Sequence, residues 1–249
     1  MAMKHHVISC VNPEDFIFRY LIDNKAFDNI EDAVAYYFDD GACSAEKLRN
    51  LLLDVCGWHG EAIDILEFAS GYGCVTRHFE NVLPEVALTS CDIHYKAVQF
   101  IAMELNVHAV LSSSVPENLN PVDTTWHWNM PDKYDVVFAL SFFSHMPKTT
   151  WTRWFNALLS RVKMGGFLIF TTHGLLSGKF LGSPEVDQDG FWFLQSSEQK
   201  DLDTLEYGLT LTNPLFVFEE AAKNPKGHII CFRQGYWWNH QDLYIVERV

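Results

Sequence analysis

The sequence predicts an α/β protein whose mostly parallel sheet is doubly wound, with helices on both faces, and three observations carry that reading. Residues 63 to 68 form an apolar run that delivers the chain into a tight turn, Gly71-Tyr-Gly73. A second short run, 86 to 92, repeats the strand pattern and ends in a carboxylate, Asp92. Beyond it, helical and strand-like segments keep alternating, as such a sheet requires.

Taken in order, residues 12 to 57 read as helical. Asn12-Pro13 marks a helix start, with Phe16, Ile17, Tyr20 and Leu21 as its apolar face. A second helix spans 30 to 38 and stops before Gly41. A third runs from Ser44, through Leu48, Leu51, Leu52 and Val55, to a glycine cap at Gly57. Tyr20, Tyr36 and Tyr37 read either as helix-packing aromatics or as contacts to a ligand. The glycine turn follows. Its glycines permit positive φ and close approach of a ligand to the main chain, and the helix expected after it offers unpaired amides. Asp92 then lies where such sheets hold a ribose diol.

After Asp92, the residues Ala97, Val98, Ile101 and Leu105 recur at helical spacing, and 107 to 111 form a strand. Ser112-Ser-Ser114 is either a polar turn or a ligand contact. Residues 116 to 133 form a loop containing Trp126 and Trp128, which either fold back onto the domain or offer a binding surface. A helix from 149 to 163 presents Trp151, Trp154, Phe155, Leu158 and Val162 on one face.

These motifs together resemble the class I S-adenosylmethionine-dependent methyltransferases. The acidic residue and glycine turn read Glu67-Phe-Ala-Ser-Gly71-Tyr-Gly73, with Ala69 where the family's pattern has its first glycine. The segment 134 to 147 looks like the family's fourth strand and following loop, and 164 to 173 like its glycine turn and fifth strand. The match covers roughly residues 60 to 175 in the expected order. The combination of Phe170-Thr-Thr-His-Gly174 with Gly235-Tyr-Trp-Trp-Asn-His-Gln-Asp242 looks like a bacterial subgroup of unassigned substrate.

The resemblance implies a seven-stranded Rossmann-like sheet, with an antiparallel edge strand completed by a C-terminal hairpin. The expected organisation is a helical cap at 1–59, a cofactor-binding core at 60–174, an inserted lid or substrate segment at 175–227, and closing strands at 228–249. The implied cofactor is S-adenosylmethionine, with S-adenosylhomocysteine as product. Glu67, Gly71 and Gly73 would shape the methionyl pocket and Asp92 would bind the ribose hydroxyls. Ser113 and Ser114 would lie near adenine, Ile93 would also contact the cofactor, and Leu140 to Phe142, with Leu140 and Ser141 foremost, would meet the sulfonium side through the main chain. A nicotinamide site competes for the same turn, but dinucleotide sites want a third glycine where this chain has Thr76. That leaves an NAD(P)-dependent oxidoreductase and a catalytically silent cofactor-binding relative as alternatives.

A sulfonium is an activated methyl donor, so the protein must chiefly position an acceptor and, for a protonated one, supply a base. His145 and His173 follow strands at the carboxyl edge of the sheet and are candidates for that base. Each also reads as a structural histidine. Tyr236 is a third candidate, and Tyr236, Trp237 and His240 read either as the acceptor wall or as a packed aromatic hairpin.

The 249 residues, 48% hydrophobic, suffice for one such domain. Thirty-two acidic against 18 basic side chains leave a formal charge of -14, which disfavours nucleic acid and anionic membrane surfaces as partners. A small-molecule acceptor is expected, and a homo-oligomer is compatible with the sequence. No apolar run reaches membrane-span length and the start has no signal-peptide core, so the expected compartment is the cytoplasm. The six cysteines, at 10, 43, 56, 74, 91 and 231, form no C-x-x-C pair, so no metal is expected. Cys74 and Cys91 read as packing groups rather than redox sensors.

Overall fold

The computed structural model describes residues 7–23, 27–119, 131–197, 199 and 201–249. Seven strands form one sheet: β1 (Ile63–Phe68), β2 (Val86–Asp92), β3 (His108–Leu111), β4 (Tyr134–Ala139), β5 (Val162–His173), β8 (Gly227–Trp237) and β9 (Gln241–Arg248). Their order is β3-β2-β1-β4-β5-β9-β8, with β1–β2, β2–β3 and β4–β5 parallel and β5–β9 and β9–β8 antiparallel. A separate antiparallel pair, β6 (Phe191–Leu194) with β7 (Leu209–Thr212), precedes the closing hairpin. The described residues fall into two compact units that divide between Ser113 and Ser114.

In the first unit, α1 (Phe16–Asp23) and α2 (Ile30–Asp54) precede β1. Asp15, rather than Asn12, caps α1: its Oδ1 accepts the Phe18 amide at 3.1 Å, whereas Asn12 only closes a turn through the Glu14 amide. Ile17 and Tyr20 are half exposed, so the buried face of α1 is narrower than its apolar spacing suggests. The two helices expected between residues 30 and 57 are one. Gly41 lies inside α2, and a Cβ there would come 2.1 Å from the Cys74 carbonyl oxygen, so this glycine serves close packing rather than termination.

The glycine turn leads not into a long helix but into one turn of 3-10 helix, Thr76–His78, followed by the four-residue α3 (Phe79–Val82). Arg77 explains the short course. Its buried guanidinium donates to the carbonyls of Ile8 and Cys10, each within 2.9 Å, and to Tyr72 O and Tyr37 Oη at 3.3 Å; its Nε donates to Gly73 O at 2.9 Å. Tyr37 in turn donates to Asp15 at 2.6 Å. One side chain therefore fastens the N-terminal segment and α2 to the turn, satisfying a buried charge with carbonyls and the Asp15 field. Tyr37 is thus a packing residue. Cys74 and Cys91 are both buried, and the Cys74 Sγ donates to Tyr37 O at 3.3 Å. Helix α4 (Tyr95–Glu104) packs Ala97, Phe100 and Ile101 with Tyr72 and Leu105.

In the second unit, α5 (Lys148–Ser160) buries Trp151, Trp154, Phe155 and Leu158 as the spacing predicts. Val162 is not part of it; the helix ends at Ser160 and Val162 opens β5. Pro214 at the first turn and the Asn213 side chain, which accepts the Phe216 amide, start α6 (Pro214–Ala222) inside the segment expected to be an insertion. Trp126 and Trp128 lie outside the described residues. No helix among the described residues is long and apolar enough to cross a membrane.

Candidate active site

At the end of β1, the chain holds Ala69, Gly71 and Gly73 at φ 58°, 55° and 79°. The two glycines meet different demands. A Cβ on Gly73 would come 2.5 Å from Leu105 Cδ1, so this position exists to bring the turn against α4. A Cβ on Gly71 would meet nothing within 4 Å; only its φ and its accessible main chain call for glycine. Ala69 accepts the left-handed conformation at a cost of about 1 kcal/mol.

Asp92 is the second element of this half. Its Oδ2 accepts the Gly71 amide at 2.8 Å, and its Oδ1 accepts the His94 amide at 2.9 Å and faces the His94 ring at 2.8 Å. The carboxylate thereby locks the turn and the start of α4 to the end of β2. Ile93, directly after it, is exposed at 38%. The β3 end is joined to it through Ser112, whose amide donates to Asp92 O at 2.8 Å; Ser113 is half-buried and Ser114 exposed.

Glu67 is fully enclosed, and burial, reinforced by the Asp92 charge, pushes its carboxyl up to about 8. Thr76 donates to it at 2.6 Å. The residue that breaks the dinucleotide pattern therefore serves the motif's own acid.

The second unit presents a different arrangement. Leu140 and Ser141 follow β4, with Ser141 at φ 57°. A closed ring of hydrogen bonds fixes it there: Ser141 N donates to Thr171 Oγ1 at 2.8 Å, Thr171 to Gln241 Oε1 at 2.7 Å, and Gln241 Nε2 to Ser141 Oγ at 2.8 Å. Ser144 Oγ closes the loop on Ser141 O.

The next residue, His145, is buried, with its Nδ1 2.8 Å from Gly208 O and its ring stacked on Tyr207 at 4.5 Å and 7°. His173, at the end of β5, has Nδ1 3.2 Å from Thr210 O. His240 has Nδ1 3.0 Å from Ser177 Oγ, which itself donates to His240 O. Ring centroids stand 6.1 Å apart for His145 and His173 and 6.0 Å for His173 and His240. Each Nδ1 faces an acceptor, so each imidazole carries its proton there and its basic lone pair on Nε2. Burial, with the neighbouring His145 and His240, lowers His173 to about 3. Tyr236 packs on Trp237 at 5.6 Å and under the Arg233 guanidinium at 5.2 Å.

The supposed insertion is what orients two of these rings. Strand β7 is stitched to the loop after β4 by Gly208 N to His145 O at 2.9 Å, Thr210 N to Ser144 O at 2.8 Å, and Thr210 Oγ1 to Met146 O at 2.6 Å. The carbonyl of Gly208, just before the strand, and that of Thr210 within it then accept hydrogen bonds from the two Nδ1–H groups. Sequence reasoning missed Thr171, Thr210 and Arg77. Arg77 and Thr210 carry no motif of their own; Thr171 and Gln241 stood in the runs 170–174 and 235–242 singled out above, but without a role.

Residues 66–168 match the family model of a methyltransferase domain. Residues 66–168 thus carry a methyltransferase domain, set in a seven-stranded, mostly parallel Rossmann-like sheet. Among solved structures, it is similar to an S-adenosylmethionine-dependent methyltransferase from Clostridium acetobutylicum ATCC 824, at 13% identity and a TM-score of 0.57, over 93% of this chain and 96% of that one. It is also similar to magnesium protoporphyrin IX methyltransferase from Synechocystis PCC 6803, solved with bound S-adenosylmethionine, at 10% identity and 0.56, over 96% and 93%. A third is the N-methyltransferase NodS from Bradyrhizobium japonicum WM9, in complex with S-adenosyl-L-homocysteine, at 12% and 0.52, over 94% and 99%. No curated protein matches the sequence.

Proposed function

We propose that the protein transfers a methyl group from S-adenosylmethionine to an oxygen or nitrogen of a small-molecule acceptor, releasing S-adenosylhomocysteine. The observation that carries this reading is the clasp of Asp92 on the Gly71 amide, which joins an acidic strand end to an accessible glycine turn. The cofactor supplies an activated methyl on a sulfonium. Gly71 and Gly73 open the main chain to its methionyl part beside Glu67, and Asp92 takes the ribose hydroxyls. Ile93, Ser113 and Ser114 border adenine, and the main chain at Leu140 and Ser141, held by Thr171 and Gln241, meets the sulfonium side.

The histidines divide the work. His173 has so little affinity for a proton that it serves as a fixed hydrogen-bond acceptor, orienting a hydroxyl or amine through Nε2. His145 takes the acceptor's proton at Nε2, while the Gly208 carbonyl stabilises the opposite Nδ1–H. Tyr236, Trp237 and His240 border the acceptor, and the fold of the N-terminal helices around Arg77 caps the cofactor. The formal net charge of -14 favours a neutral or cationic acceptor over an anionic one.

The test is isothermal titration of the protein with S-adenosylmethionine, S-adenosylhomocysteine, NAD and NADP. Micromolar binding of the first two, lost in Asp92→Ala, supports the reading. Binding of NAD or NADP alone would overturn it. Binding without release of S-adenosylhomocysteine across an acceptor screen would point to a silent relative.

A further inference from the structure

A cleft in the second unit takes no part in the reaction above. Its volume is about 700 Å³, inside the roughly 300 to 1,000 Å³ of small-molecule sites. It opens between the start of α5 and strand β6, with Lys148, Glu185, Asp187, Trp192, Phe193 and Leu205 among its walls. Strand β7 stands between it and the histidines: Thr210 pairs with Phe193 across the hairpin, while its carbonyl takes the His173 proton.

The net charge of this cleft is negative. Lys148 Nζ lies 2.7 Å from Asp187 Oδ2 and 2.6 Å from Asp189 Oδ2, and 5.7 Å from the centroid of the Phe191 ring. Two carboxylates thus more than neutralise it. Glu185 is exposed and, among the described residues, makes no ion pair. An anion entering here would have to displace two carboxylates to reach one ammonium, whereas a cation meets an unspent carboxylate directly.

The apolar wall complements that charge. Trp192 is half-buried and makes no ring contact among the described residues. Leu205 is 57% exposed at the same cleft. An aromatic face beside an acidic group is the environment that holds an ammonium attached to an apolar body.

We propose that this cleft binds an organic ammonium ion with an aromatic or aliphatic body, its charge toward Glu185 and its body on Trp192 and Leu205. The site is independent of cofactor binding and does not require His145 or His173 to act as a base.

The test compares three indoles of one shape and different charge by isothermal titration against the full chain: tryptamine (cation), tryptophol (neutral) and indole-3-acetate (anion). Tryptamine should bind with a submillimolar Kd and the other two at least about tenfold more weakly. Glu185→Gln and Trp192→Ala should each weaken tryptamine by about three- to tenfold, with melting temperature and S-adenosylmethionine affinity unchanged. Equal binding of the three indoles, no binding of tryptamine, or unaltered tryptamine affinity in both folded variants would overturn the proposal. Because cofactor affinity is read on the same samples, failure here is distinct from failure of the methyl-transfer reading.

Discussion

Glu67 in the first compact unit and His173 in the second are both pushed by burial toward their neutral forms, but neutrality requires the carboxyl to keep a proton and the imidazole to lose one. The two units also hold these groups by different means. Glu67 is secured within one strand-turn segment, by Thr76 nine residues on. His173 is secured by Thr210, 37 residues away on a separate hairpin. A local, self-contained turn suits a cofactor shared by many enzymes. Orientation of an imidazole by a distant hairpin leaves the surroundings of that ring free to vary without disturbing the turn.

The largest expected effect falls on the turn. Asp92→Ala removes the acceptor for Gly71 and His94 together with the proposed ribose contact, and should weaken S-adenosylmethionine binding by about 2 to 4 kcal/mol. Titration calorimetry measures it; affinity within twofold of the parent would detach Asp92 from the cofactor. Next comes Gly41→Ala. In an ordinary helix interior this change stabilises by about 1 kcal/mol. Here the new Cβ would meet the Cys74 carbonyl at 2.1 Å, so the sign should reverse to a loss of about 1 to 3 kcal/mol in urea unfolding. A stabilised variant would mean that α2 does not press on the turn.

The proton comparison itself is tested by pH. His173 is lowered from 6.5 to about 3, so the unfolded chain binds the extra proton between those values. Its contribution is present above pH 6.5 and is lost as pH falls toward 3, on the order of 1 to 2 kcal/mol between 6.5 and 5. Glu67 is raised from 4.5 to about 8, so its contribution is present below 4.5 and is lost as pH rises toward 8. His173→Asn should therefore flatten the acid side of the stability profile, and Glu67→Gln should gain relative to the parent as pH rises from 5 to 8. Slopes of the same sign for both substitutions would erase the contrast between the units.

The same contrast explains what was legible in the sequence. Strand periodicity, the glycine turn and Asp92 were readable because each is a short-range requirement of backbone and sheet. Arg77 was not, because its value lies in carbonyls of Ile8 and Cys10, almost 70 residues upstream. Gly41 looked like a terminator because the sequence does not show the Cys74 carbonyl pressed against it. In the second unit, His145 and His173 were visible as histidines after strands, while their tautomers depend on the backbone carbonyls of Gly208 and Thr210, which any residue type could supply. Main-chain partners leave no compositional trace.

The smallest effect probes that hidden support. Tyr207 stacks on His145 at 4.5 Å with the rings 7° from parallel, one residue before the carbonyl that takes its proton. Such an aromatic pair contributes about 0.5 to 1.5 kcal/mol beyond the area it buries. Tyr207→Leu keeps an apolar cover and the Gly208 backbone but frees the imidazole to tilt. Stability should fall by about 1 kcal/mol, S-adenosylmethionine affinity should not change, and turnover of an identified acceptor should drop several-fold with a shifted pH profile. Tyr207→Phe should restore all three, since the stack and not the hydroxyl orients the ring. If Tyr207→Leu lowered cofactor affinity instead, the hairpin would belong to the cofactor machinery and the division of labour between the units would fail. If Leu and Phe behaved alike with unchanged turnover, His145 would be held by Gly208 alone and the stack would be packing.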